Sequence, residues 1–155
     1  MIWGLGFVLA FLALQLSYGT QQANLVSPMS VNQAGAFAGA FRAESHAALA
    51  YATANQSATG IIAPTALAPY IAPWSPLPSA QAQITGGFLI VSATPPGPPG
   101  TAQWVARNLW ETQGDMAYGS VINGQMVSAQ GASLGTAPAG VLNGSAVYVV
   151  SRPVS

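Results

Sequence analysis

"YGSVINGQMVSA", Tyr118 to Ala129, is the stretch on which the reading of the fold turns. Two short apolar runs flank Asn123-Gly124, the pair that best accepts positive φ at both centres of a type I′ turn. A β-hairpin is predicted here, and with it an antiparallel sheet. Two further stretches supply strands. "QITGGFLIVSA" (Gln83 to Ala93) is rich in β-branched and aromatic residues and reads as one strand. "SAVYVVS" (Ser145 to Ser151) follows a second Asn-Gly pair, Asn143-Gly144, and reads as the last strand. The sum is a sheet of about four strands.

Helical signals lie upstream and between the strands. Ser27-Pro28 looks like a helix start, because Ser can cap and Pro is tolerated at the first helical position. The alanine-rich run that follows puts Ala34, Phe37, Phe41, Ala48 and Tyr51 on one stripe, which predicts a long helix with a buried face. Gly35 and Gly39 each cost about 1 kcal/mol against Ala in a helix interior, and their shallow face is expected to serve core packing. The small-residue spacing also fits a helix-pairing site. Asn32, Gln33, Arg42, Glu44 and His46 argue for wet surroundings, and Gly60 is expected to terminate the helix.

Five prolines between residues 61 and 80 leave room for one helical turn at "PTALA" and otherwise an extended surface loop, pinned by Tyr70 and Trp74. "TPPGPPG" reads as a rigid turn or polyproline stretch. It lacks the basic flank of an SH3-type ligand. Thr101 is expected to cap a short helix, "AQWVARNLWETQ", ending near Gly114. Trp104, Val105, Leu109 and Trp110 of that helix should largely pack against the sheet.

The chain opens on "MIWGLGFVLAFLALQLSY", in which only Gln15 and Ser17 are clearly polar. Eighteen helical residues would span roughly 27 Å, close to a hydrocarbon core of about 30 Å. Trp3 and Tyr18 stand near the two ends, where amphipathic rings prefer the headgroup level. A retained transmembrane helix is the favoured reading. A signal cut near Gly19, after the small-x-small spacing of Ser17-Tyr18-Gly19, is the main rival, though no basic residue precedes the apolar run. A buried core helix is the third. The expected fold class is thus α+β: an anchor over residues 1–19, then a domain over 20–155. In that domain a long Ala-rich helix packs on an antiparallel sheet of about four strands.

Charge narrows the function. Charged residues make up 4% of the 155, with Arg42, Arg107 and Arg152 balanced by Glu44, Glu111 and Asp115, and lysine absent. Such a surface has no field to steer nucleic acid or an anionic membrane face. The absence of cysteine removes disulfides, thiolate zinc sites and Cys nucleophiles together.

Titratable groups are equally sparse. Arg42 and His46 share a helix face while Glu44 points elsewhere, and a lone His there reads as a surface residue rather than a general base. Glu111 and Asp115 stand four apart at a helix end, which reads as a solvated edge. Gly86-Gly87 lacks the following Lys-Ser/Thr helix of a phosphate loop, and neither HExxH nor GxSxG occurs. No catalytic, cofactor-binding or metal-binding residue is expected.

The chain as a whole resembles the PilM family of type IVB (thin) pilus systems, small proteins of conjugative-plasmid and related pilus operons. The likeness runs through the N-terminal apolar segment and the helix "FAGAFRAESHAALAYATANQSATG", with Phe41, Arg42, Tyr51, Asn55 and Gly60 at the matching places. It continues through the "SATPPG" break (Ser92 to Gly97) and the apolar strand near the C-terminus. The resemblance implies a bacterial inner-membrane protein, single-pass, with its domain in the periplasm. It would be a non-enzymatic component of the pilin transport apparatus and basal body, with other pilus assembly proteins and pilins as partners and residues 1–18 in lipid. The actin-like cytoplasmic ATPase that shares the name PilM in type IVa systems is a different protein, longer and equipped with nucleotide motifs.

Two rivals stand beside this reading. One is a minor pilin-like subunit of the fibre, although no Glu stands at Phe11, where prepilins processed at Gly6-Phe7 would need it. The other is a secreted hydrolase working through His46 or Asp115. Phe37, Phe41 and Tyr51 are expected to hold the core, and Trp74 and Trp104 to be partly exposed.

Overall fold

A computed structural model describes residues 28–71, 77–113 and 117–151. The chain divides into two compact units, Met1–Asn32 and Gln33–Ser155, and the architecture below is that of the second.

Its helices are α1 (Pro28–Ala54), which begins in the first unit, α2 (Pro64–Ile71) and α3 (Thr101–Gln113). Its strands are β1 (Gly60–Ile62), β2 (Gln81–Thr85), β3 (Phe88–Ala93), β4 (Tyr118–Ile122), β5 (Gln125–Ser128), β6 (Ser133–Thr136) and β7 (Ala146–Ser151). All seven strands form one sheet in the order β1-β2-β3-β7-β4-β5-β6, and every neighbouring pair is antiparallel. Two three-stranded meanders, β1-β2-β3 and β4-β5-β6, are therefore joined through β7. Residues 88–93 pair with 151–146 on one side, and Tyr118, Gly119 and Ser120 pair with Tyr148, Val147 and Ala146 on the other.

Turn chemistry explains the hairpins. Asn123 and Gly124 have φ of 51° and 75°, the double positive pair of a type I′ turn, so the predicted β4-β5 hairpin forms. The amide of Gly124 donates to Asn143 Oδ1 at 2.8 Å, so the second Asn-Gly turn braces the first. Gly86 and Gly87 repeat the conformation at 56° and 81°. They fold the stretch read above as one strand into two, β2 and β3.

Strand alternation sends side chains to opposite faces. On one face Ile84, Leu89, Val91, Tyr118 and Tyr148 join Phe37, Phe41 and Ala48 of α1, Leu67 and Ile71 of α2, and Val105 and Leu109 of α3 in the main core. On the other, Ile90, Val121, Met126 and Val147 form a smaller cluster under Leu134, Ala137 and Val141. Phe41 links helix to sheet. It is fully buried, stacks on Phe37 at 6.0 Å, and meets Tyr118 edge-on at 6.0 Å, while Tyr118 lies 4.9 Å from its cross-strand partner Tyr148. Ala34, Phe37, Phe41 and Ala48 are buried and Tyr51 is half-buried, as the stripe required.

Several expectations are corrected. The fold is a seven-stranded antiparallel sheet, where a long helix on about four strands beneath an N-terminal membrane helix was expected. The three missing strands are β1 and β6, too short to leave a periodic signal, and the split of one apolar run at Gly86-Gly87. Gly60 opens β1 with φ of 84°; α1 stops earlier, where both the backbone and side-chain nitrogens of Asn55 donate to the Tyr51 carbonyl at 2.9 Å. "PTALA" extends to the two turns of α2. Thr101 is the first residue of α3 and its hydroxyl donates to the Pro98 carbonyl at 2.7 Å, so it does not cap. The segment proposed as an anchor, residues 1–19, lies outside the described residues, as does Trp74. Among the described residues no helix is long and apolar enough to cross a membrane. The single-pass inner-membrane placement is withdrawn on that finding.

Gly119 is the tightest point of the sheet. A Cβ there would collide with the Val127 carbonyl and come within 3.0 Å of Leu134 Cδ1. Because a backbone carbonyl in a ladder cannot give way, Gly119→Ala is expected to cost about 2–3 kcal/mol through overpacking. A urea-unfolding midpoint unchanged by the substitution would refute this placement of β5 against β4.

Candidate functional site

The titratable groups are dispersed. Arg42 and His46 are exposed on α1, Glu111 is exposed on α3, and Asp115 lies outside the described residues. Among the described residues, no three or more His, Asp or Glu side chains gather as a metal would require.

Glu44 departs from expectation. Read as a wet residue, it is 4% exposed on the core side of α1. Burial raises its carboxyl above the ordinary value of 4.5, and a hydrogen bond from the Leu77 backbone N–H partly offsets the rise. The spacing carries a warning that the charge conceals: Glu44 stands three residues after Phe41 and four before Ala48, on the buried stripe itself. Gly35 and Gly39 depart in the other direction. Expected in the core, they are exposed, and a Cβ on either would meet no atom within 4 Å. Trp104 is 37% exposed, as anticipated.

One shaped feature of the described residues lies at the start of α3. The chain leaves β3 through "TPPGPPG", whose two prolines before Gly100 fix φ and forbid an earlier helix. Gly97 is required there: its φ is 126°, and a Cβ would sit 2.8 Å from Thr101 Oγ1. This loop, the first turn of α3 and the β4-β5 hairpin enclose a recess of about 470 Å³. A second recess of about 310 Å³ adjoins it along α3, bounded by Arg107, Val127 and Ser128. Gln103, Ser120 and Ile122 line both. Gln103 and Arg107 are one turn apart on α3 and so share a side of the helix. Ser120, 4% exposed, reaches the recess from the floor of the sheet.

Sequence reasoning missed this site. "TPPGPPG" and the two Asn-Gly pairs are the parts of it with a visible signature, and those signatures announce turns and rigidity rather than binding.

The fold is shared with a solved protein. The chain superimposes on the crystal structure of a protein named PilM from Escherichia coli B7A with a TM-score of 0.58 and 16% identity, covering 81% of this chain and 97% of that one. At that identity the likeness establishes a shared fold. The sequence model of the PilM family matches residues 8–149, and the chain belongs to that family. No curated protein matches the sequence.

Glu44 provides a test of the α1 packing. The folded chain retains the Glu44 proton at pH values where the unfolded chain has released it. Stability is therefore greatest on the acid side and declines as pH climbs from about 4.5 through the raised folded value. Glu44→Gln keeps an acceptor for the Leu77 N–H and removes the charge, so it should flatten the decline and stabilise the protein at neutral pH. Urea midpoints measured from pH 4 to pH 8 check both; a decline of the same slope in the Gln variant would show that Glu44 is not its source.

Proposed function

We propose that this chain works by contact rather than turnover, as a non-enzymatic component of the type IVB (thin) pilus assembly machinery. Its place would be in the pilin transport apparatus and basal body, where it docks on other assembly proteins and on pilins. The observation that carries this reading is membership of the PilM family over residues 8–149. The dispersal of Arg42, His46 and Glu111 on exposed helix surfaces supports it, since general acid–base work needs such groups within hydrogen-bond reach of one another or of a substrate. With six charged side chains in 155 residues, and Glu44 among them buried, the chain suits docking by shape and by neutral hydrogen bonds.

A strain lacking the protein should make pilin and assemble no thin pili, with assembly restored by the wild-type chain. It should be restored equally by a chain carrying His46→Ala and Glu111→Gln together. Loss of complementation by that double variant, folded as wild type, would argue for catalysis instead. Recovery of the chain in sheared fibres at a fixed ratio to pilin would favour the fibre-subunit reading over the assembly role.

A further inference from the structure

We propose that Asn123 is a site of spontaneous deamidation at the mouth of the α3 recess, and that the side chain of Asn143 guards it.

The chain holds two Asn-Gly pairs, Asn123-Gly124 and Asn143-Gly144. In such a pair the glycine nitrogen, with no side chain beside it, can reach the asparagine carboxamide. Once hydroxide has taken its proton, that nitrogen bonds to the side-chain Cγ and closes a five-membered imide. The bond from Cγ to the side-chain nitrogen breaks, and ammonia leaves with a proton returned by water. A water molecule then opens the ring, at one carbonyl to give aspartate and at the other to give isoaspartate. In a folded chain the rate depends on the freedom of two groups, the attacking amide and the carboxamide it attacks.

The two pairs differ in both. The Gly144 amide donates to the Val121 carbonyl at 2.9 Å, and the Val121 amide donates to the Ser145 carbonyl at 2.9 Å. These bonds are main chain on both sides. They continue the β4-β7 ladder beyond Ser120 and Ala146, and Val121 is buried. The Asn143 carboxamide is held as well, because its Oδ1 accepts from the Gly124 amide at 2.8 Å. Asn143 is thus tied at the attacking nitrogen and at the carbonyl.

Asn123 is less securely tied. Its carboxamide is exposed at the hairpin tip, and its attacking nitrogen, that of Gly124, is held by the exposed side chain of Asn143. Such an acceptor competes with water and lets go more readily than a ladder carbonyl over a buried strand.

The products have structural consequences. Residue 123 has φ of 51°, which aspartate tolerates as asparagine does. Isoaspartate lengthens the main chain and changes the two-residue loop on which the type I′ turn depends. Either product adds a negative charge to a chain whose charges balance, at a residue that lines the recess.

The test is peptide mapping by mass spectrometry of the full-length chain held at pH 8, in buffer and in urea. Electron-transfer fragmentation tells isoaspartate from aspartate. In urea the two asparagines should convert at similar rates. In the folded chain both should slow, and Asn143 more than Asn123. Asn143→Ala removes the acceptor and should speed conversion of Asn123 about fivefold, the worth of one hydrogen bond of ordinary strength. Asn143→Asp keeps an acceptor oxygen for the Gly124 amide and should leave Asn123 at or below its wild-type rate. Circular dichroism of both variants checks that the sheet is retained. Conversion of Asn143 as fast as that of Asn123 in the folded wild type would overturn the proposal. So would an Asn123 rate that Asn143→Ala leaves unmoved, or that Asn143→Asp raises equally. If Asn143→Ala loses its sheet, the wild-type ratio of the two sites and the Asn143→Asp rate decide.

Discussion

The sheet depends on β7. It is the strand with hydrogen-bonded neighbours from both meanders, β3 on one side and β4 on the other. Val147 at its middle has no exposure, and Tyr148 sits on the opposite face under the helices. Removing this strand would leave two meanders, each with a second open edge, and divide the main core between them. Its pairing is also non-local. Phe88 meets Ser151 and Ala93 meets Ala146, so more than fifty residues of loop, helix and hairpin must be ordered before the ladder closes. Contacts of that separation are entropically slow to form, and local turn chemistry has to prepare both docking edges first.

Local turn chemistry is also what made part of the fold legible. Asn123-Gly124 was readable because two consecutive positive φ values demand a narrow set of residues, and the flanking apolar runs were short. Gly86-Gly87 satisfies the same demand, yet the apolar run after it, Phe88 to Val91, is strong enough to look like one strand with the residues before it. β1 was hidden for a related reason. Gly60 with positive φ serves a helix terminator and a strand entrance equally well, and three residues carry no period. The core stripe of α1 was legible through its aromatic spacing, and Glu44 stands on it, seven residues from both Phe37 and Tyr51; what was not legible is its backbone partner, Leu77, thirty-three residues away in sequence.

The recess was illegible for a deeper reason. Its lining is largely main chain and small side chains, such as Gly100, Ala102 and Ser120, which would suit many other places. What makes them a recess is the direction in which α3 starts, after Pro98, Pro99 and Gly100, and the depth at which β4 holds Ser120. Residue identity reports on chemistry that side chains perform. It is silent where the main chain supplies the groups and the fold aims them.

Open sheet margins are commonly guarded by lysine, and this chain has none. Its two margins are instead cut short: β1 is three residues long, and β6 is four with an irregular register against β5 at Met126 and Val127. Protection by brevity involves no ions. Resistance to edge-to-edge sticking is therefore indifferent to salt, and the molecule can be crowded against neighbours in any ionic surroundings without its strands finding one another.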